Sequence, residues 1–399
     1  MTFPAETREV LSKLIAGAIP VKTMELLERD HDNTLQEQQV ICAIPAPPFK
    51  EAIRANAIRE RLSQLGLDRV YQDDVGNVIA VRRGTGQGPK LVVSAHIDTV
   101  FPEGVDTGVA IREGRLYAPG IGDDTRGVVE ILSMLRALKE TNVPAIGDLI
   151  VCFTVGEEGT GDLRGIKRFF AENHDIDGFI SIDGTEPGAL VYLATGSRRY
   201  EFVFRGPGGH SYYHFGIPSA IHAMGRAIAS IANIKPAPKP KTTFNVGVVH
   251  GGTSVNAIAA EARMLVDLRS DEEEQLLAME KKVLQIVEQA AAEESSRWEN
   301  TEVITVQPKL IGQRPSGKQS PDNPVIAAMY AATAAVGLKP DLIGAGSTDA
   351  NIPISLGIPS VVVGSGGKSG GQHTLNEWFD PAKAYLGPQR TLLAILALL

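Results

Sequence analysis

Apolar residues change their spacing several times along this chain, and each change predicts an element. Residues 33–44 and 51–65 repeat at three to four positions, which predicts helices. Residues 78–82 and 91–96 read as strands. A helical spacing returns over 125–139, and 148–154 is a short, nearly continuous apolar run. That run suits a strand buried on both faces, and 178–182 and 190–194 repeat it. Strands alternating with helices imply an α/β fold with a mostly parallel sheet covered on both sides.

From about residue 198 the texture differs. Residues 200–204 alternate, 217–234 is helical in period, and 235–241 is rich in Pro and Lys. Residues 243–249 and 259–268 alternate again, and 271–297 reads as a long charged helix. This is the pattern of a smaller α+β unit, one sheet with two helices on one face. After about residue 307 the α/β texture resumes, with a helix over 324–336 and a strand over 360–363. The expected organisation is therefore one domain from 1–196 and 307–399, interrupted by an inserted domain over 197–306. Insertions of this kind are tolerated where their ends lie close together at the surface.

The length of 399 residues agrees, since one core seldom serves so many. Hydrophobic residues at 43% and charged residues at 22% are ordinary for a globular chain. A net charge of −8 argues against nucleic acid or an anionic membrane as the main partner. The two cysteines, Cys42 and Cys152, cannot form a disulfide framework or a CxxC site and are expected to be reduced and buried. Residues 11–21 lack the basic flank and cleavage pattern of a secretion signal, and the apolar tail 392–399 is too short to span a bilayer. A cytoplasmic location is the default expectation.

Composition says nothing of a local site, but five short motifs do. His96 and Asp98 stand at a strand end, and a period of two puts them on one face. A metal-binding His commonly has a carboxylate on its other ring nitrogen. Residues 119–127 read Pro-Gly-Ile-Gly-Asp-Asp-Thr-Arg-Gly just before a helix. A plain N-cap explains one aspartate there and leaves the second unexplained, and an aspartate here could bridge two metals. Gly156-Glu-Glu-Gly159 follows a buried strand, and two adjacent carboxylates repel unless a cation sits nearby. With a metal, one can ligate while the other takes a proton. Asp183 ends another apolar strand, and His373 lies in a Gly-rich loop. Two His and at least three carboxylates at strand ends or glycine loops of one domain are a donor set for a pair of zinc ions. A structural zinc site would be closed and rich in thiolates; this set contains none, so the site should be catalytic.

In these motifs the chain resembles the M20 metallopeptidase family, which includes aminoacylases, glutamate carboxypeptidases and peptidase-T-like aminopeptidases. The resemblance runs over nearly the whole chain. It implies a hydrolase acting on amide bonds, with two zinc ions (cobalt or manganese as substitutes). It implies His96 as a ligand oriented by Asp98, Asp123 as the bridging ligand, Glu157 as general base and Glu158 as a ligand. Asp183 would join His96 on one metal, and His373 would join Glu158 on the other. Asp123 is preferred to Asp124 because the family's ligand follows a small residue. The inserted domain resembles the family's lid or dimerisation domain, and a homodimer follows from that. Gly206-Pro-Gly-Gly-His-Ser matches its glycine-rich turn and implies that His210 stabilises the oxyanion. Residues 251–256 match a second lid motif, whose Asn256 would contact substrate. Ser347, in Gly-Ser-Thr-Asp, and Arg314 complete the substrate contacts that the resemblance implies.

Three functions compete. The His-Thr-x-x-Glu pattern at 373–377 is similar to peptidase-T relatives and favours an aminopeptidase on di- or tripeptides. The same machinery would serve a deacylase of N-acyl amino acids. A binding protein without catalysis could also use the fold, but it would have no need of the Glu157 base.

Overall fold

In the computed structural model, which describes residues 17–297, 299 and 301–399, the apolar runs assemble into an 8-stranded sheet. Its order is Arg69–Gln72, Val78–Arg82, Asp148–Thr154, Lys90–His96, Gly178–Ile182, Ser360–Val363, Ala189–Ala194 and Asp341–Gly346. Asp148–Thr154, Lys90–His96, Gly178–Ile182 and Ser360–Val363 run parallel at its centre. Antiparallel pairings bring in Val78–Arg82 on one side and Ala189–Ala194 on the other.

Alternation along these strands divides the core between the two faces. Val93, Val151, Ile180 and Val361 pack with Leu132, Ile326 and Leu393, which lie on the helices Thr125–Thr141, Pro324–Ala335 and Leu386–Leu398. Their neighbours Val92, Cys152, Phe179 and Val362 face the other way, against Ile166 and Phe169 of the helix Arg164–Glu172. Each such side chain, fully buried, contributes roughly 1.5–3 kcal/mol relative to exposure. The parallel centre puts four carboxyl ends at one edge of the sheet, where folds of this kind place their ligands.

One buried cation ties that edge to the helix beneath it. Arg54, on the helix Ala52–Ser63, is 1% exposed and donates to the carbonyls of Ile44, Ile97 and Cys42. It thereby fixes the turn that leads from His96 into Asp98.

The second compact unit is Thr195–Gly317. Its four-stranded antiparallel sheet has the order Thr242–Gly251, Glu261–Ser270, Gly196–Arg205 and Thr305–Arg314. Phe202, Phe204, Met264 and Leu268 pack with Ala223, Ala227, Val283 and Val287 of the helices Ala220–Ala232 and Glu273–Ser296. The unit extends beyond the expected end at residue 306, because Thr305–Arg314 pairs along Gly196–Arg205 from Arg205 to Ser197. That strand is mostly exposed and contains Pro308, so it shows no alternation and was invisible as a pattern.

Candidate active site

His96 is the last residue of its strand, Glu157 and Glu158 follow the next, and Asp183 follows a third. His373 lies in the loop beyond Ser360–Val363. Because these four strands are parallel, the edge that gathers their ends gathers the side chains as well.

Two groups of donors result. His96, Asp123 and Asp183 each offer one atom within 4.8 Å of the others, and so do Asp123, Glu158 and His373. Asp123 belongs to both. Its Oδ1 lies 3.0 Å from His96 Nε2 and its Oδ2 lies 3.2 Å from His373 Nε2. Glu158 Oε1 is 2.9 Å from the same His373 nitrogen. A further group, His96, Glu157 and Glu158, places the remaining carboxylate beside the same cluster. One carboxylate with an oxygen toward each of two imidazoles, and a further carboxylate on each side, fits two neighbouring divalent cations.

Asp123 and Asp124 divide the work. Asp124 is fully buried and accepts the amides of Gly127 at 3.1 Å and His96 at 3.2 Å, the first of these as helix N-cap. Asp123 is left to face the histidines. The loop that carries it is clamped by Glu377, whose carboxylate accepts the amides of Gly120 at 2.8 Å, Gly122 at 2.9 Å and Asp123 at 3.0 Å. Gly122 is required here, since a Cβ would stand 2.9 Å from the Cβ of Ser369. In the sequence Glu377 is only the end of a motif, and no side-chain spacing marks its carboxylate as holding the Asp123 loop.

The expected pairing of the Asp98 carboxylate with His96 takes another form. His96 Nδ1 is 3.0 Å from the Asp98 carbonyl oxygen and 3.7 Å from its carboxylate. The carboxylate instead accepts the amides of Glu157 at 3.0 Å and Glu158 at 2.9 Å. Asp98 is wholly buried, so the turn bearing both glutamates is pinned by a charge inside the protein.

The electrostatics of the cluster are those of crowded carboxylates. Burial, with Asp123 nearby, pushes Asp183 up to about 7. Burial would raise Asp123 too, but hydrogen bonds from His373 and His96 outweigh it and hold this carboxyl well below its usual range. Hydrogen bonds to Asp123 and Glu158 raise His373 to about 10. His96 is raised well above its ordinary value, because the surrounding aspartates overcome its burial. A metal pair would supply here the positive charge that these carboxylates otherwise draw from the imidazoles.

The remaining expected residues lie on other segments of the chain. Ser347 is half-buried in the loop after Asp341–Gly346. That loop is anchored by Asp349, which accepts the hydroxyl of Thr154 beneath His96. His210 and Asn256 lie on the second unit, where His210 pairs with Ala257 and Ser211 donates to the Asn256 carbonyl at 2.9 Å. The two glycine-rich motifs therefore form one exposed ribbon. The amide of Tyr212 donates to His210 Nδ1 at 3.2 Å, so Nε2 is the ring nitrogen left to meet a ligand. Arg314 is 4% exposed, at the end of a strand of that unit, opposite Ser197.

Comparison with known proteins adds a family. The model of peptidase family M20/M25/M40 matches residues 92–397. A succinyl-diaminopimelate desuccinylase from Nitrosospira multiformis is 26% identical over 373 residues, covering 88% of this chain and 94% of that one. A tripeptidase from Staphylococcus aureus superposes with a TM-score of 0.76 at 26% identity, covering 92% of this chain and 98% of that one. The aminopeptidase PepT from Bacillus cereus superposes with a TM-score of 0.74 at 24% identity, with the same coverage, and so shares the fold.

Proposed function

The chain belongs to peptidase family M20/M25/M40, a family of hydrolases, and on that premise we propose that it is a zinc-dependent enzyme cutting an amide bond in a small peptide. The reading we favour is an aminopeptidase acting on di- or tripeptides. The observation that carries the hydrolytic part is the sharing of Asp123 between two donor groups. His96, Asp123 and Asp183 would hold one zinc, and Asp123, Glu158 and His373 the other. Bound there, the metal pair would polarise the scissile carbonyl and acidify a water.

The chain's own residues do the rest. Glu157 takes the water's proton on its carboxylate and returns it to the leaving amine. Asp98 holds the Glu157–Glu158 turn, and Glu377 holds the Asp123 loop. His210 donates from Nε2 to the developing oxyanion. Asn256 and Ser347 contact substrate. Arg314, at the end of the strand Thr305–Arg314, would hold the substrate's carboxylate.

The likeness to a tripeptidase along nearly all of that chain supports the peptidase reading. A deacylase of N-acyl amino acids is the second reading, favoured by the likeness to a desuccinylase of similar extent. Hydrolysis of free and N-acylated di- and tripeptides, with zinc, cobalt and manganese in turn, separates the two. Turnover confined to blocked amines would overturn the aminopeptidase.

We further propose a homodimer formed through the second unit. The edge strand Thr242–Gly251 is largely exposed, with Val248 and Val249 at 39% and 50%. An edge of this kind pairs readily with its own copy across a two-fold axis. Sedimentation at assay concentration tests it. A cytoplasmic location is supported by Cys42 and Cys152, both free and buried. Among the described residues no helix is long and apolar enough to cross a membrane.

A further inference from the structure

Beside the metal-type cluster the first unit has a cavity of about 430 Å³ that none of the roles above uses. Asp183 lines it, and so does Gln372, next in sequence to His373. The cavity therefore adjoins the donor group of His96, Asp123 and Asp183. Part of its lining is apolar, made by Ala189, Val191, Val362, Val363 and Trp378. The rest is rich in donors.

Those donors have a definite arrangement. Thr185 Oγ1 and Ser369 Oγ lie 2.6 Å apart, and Gln372 Nε2 donates to the same Ser369 oxygen at 2.6 Å. This chain of contacts joins the loop after Gly178–Ile182 to the glycine-rich loop that bears His373. Lys368 also lines the cavity. It opens the short strand Lys368–Gly370, and the residue opposite it on the antiparallel strand Trp378–Asp380 is Asp380, which Arg115 engages at 3.2 Å. Asp380 is thus matched to a cation other than Lys368. Glu186 is the only lining carboxylate apart from Asp183, which belongs to the cluster. Ammonium, hydroxyls and amide outnumber that one acceptor-only group, and such a lining suits a ligand that brings acceptors.

We propose that this cavity is a specificity subsite for a short substrate chain ending in a carboxylate, with Lys368 as its counter-ion. The apolar part of the lining receives two or three methylenes, and the carboxylate meets Lys368. This deepens the hydrolase reading and rests on it. Two kinds of substrate share the chemistry: a peptide with an N-terminal acidic residue, and an amino acid blocked by a dicarboxylic acyl group.

The test uses matched substrates and one variant pair. Glu-Leu is compared with Gln-Leu, and N-glutaryl-leucine with N-butyryl-leucine, on wild type, Lys368→Met and Glu186→Gln. Wild type should prefer the acidic member of at least one pair by about tenfold or more in kcat/KM, the usual worth of one charge-assisted contact. The pair that shows the preference identifies the source. Lys368→Met should collapse the acidic-to-neutral ratio toward one, through KM, while Glu186→Gln should leave that ratio in place. A wild type indifferent to the carboxylate, or a preference that follows Glu186 instead of Lys368, overturns the subsite. Failure to turn over any of the four substrates counts against the hydrolase reading, and calorimetry then judges the subsite separately. On metal-loaded protein, glutarate should bind more tightly than butyrate, and Lys368→Met should abolish the difference. Equal binding of the two acids to wild type sinks the proposal without reference to turnover.

Discussion

The carboxylate of Asp98 accepts the main-chain amide of Glu158 at 2.9 Å, and its other oxygen takes the amide of Glu157 at 3.0 Å. One buried charge thus sets the path of the chain through both glutamates. A carboxylate offers acceptors alone, and both amides need one.

Replacing Asp98 by Asn tests that dependence. The amide side chain can accept one of the two N–H groups but presents its own N–H₂ to the other. A buried donor left without an acceptor costs about 1–3 kcal/mol. We expect kcat to fall about 10- to 100-fold, with reduced metal content, while the fold by circular dichroism is retained. Wild-type kcat and metal content in the variant would refute the positioning role.

Glu157 and Glu158 should separate cleanly. Glu157→Ala should keep its metal but lose turnover by roughly 10²–10⁴-fold, the usual worth of a general base. Glu158→Ala should lose metal, because Glu158 lies in the group with Asp123 and His373. Elemental analysis of both variants decides the matter. Equal metal occupancy in the two would refute the division.

Much of this site could be read from the sequence, for a physical reason. Ligands at the carboxyl ends of buried strands stand beside apolar runs, and those runs are the strongest pattern a sequence offers. His96, Glu157 and Asp183 are all found in that way. Glu377 and Asp98 act through main-chain amides, and no spacing of side chains records which amides a carboxylate will meet. Thr305–Arg314 escaped for a related reason: an exposed edge strand owes its place to backbone pairing, not to an apolar face. The helix Leu386–Leu398 escaped because it is apolar nearly all round and so carries no periodicity.

Glu377→Gln should act on the metal and not on the chemistry of proton transfer. Glu377 is buried and accepts three amides, and the amide side chain can satisfy them only in part. We expect weaker metal binding by about tenfold or more, which corresponds to a buried hydrogen bond lost from the Asp123 loop. Excess metal should restore kcat. A kcat that stays low at saturating metal would show that Glu377 does more than place the loop.

Metal removal should make stability depend on pH. In the metal-free protein His373 is raised to about 10 from an ordinary 6.5 by Asp123 and Glu158. A raised imidazole contributes fully below about 6.5 and loses its contribution as pH rises through about 10. Asp183, pushed up to about 7, acts in the same direction, because ionising it inside the cluster costs more than in the unfolded chain. The Tm of chelated protein should therefore fall between pH 6 and 10. Metal loading should flatten that fall and release protons, since a ligating imidazole nitrogen cannot keep one. Zinc uptake without proton release in unbuffered solution would contradict the assignment of His373.

The part assigned to His210 is open to a genetic form of test. The Tyr212 amide donates to Nδ1, and in the proposed role Nε2 would donate to the oxyanion. Removing one such donor costs about 10²–10³ in kcat, and His210→Ala should show that loss with metal content unchanged. If the chain is a homodimer, the donor can serve its own subunit or its partner, and mixing decides between them. His210→Ala and Glu157→Ala proteins are combined under conditions of verified subunit exchange. Should His210 serve the partner, each mixed dimer holds one site with both defects and one with neither, and about half the dimers regain one working site. Should it serve its own subunit, every site in the mixture carries one defect, and activity stays at the level of the separate variants. Recovery would establish that catalysis is shared between chains. A wild type that is fully active as a monomer would exclude the shared site, whatever the mixture shows.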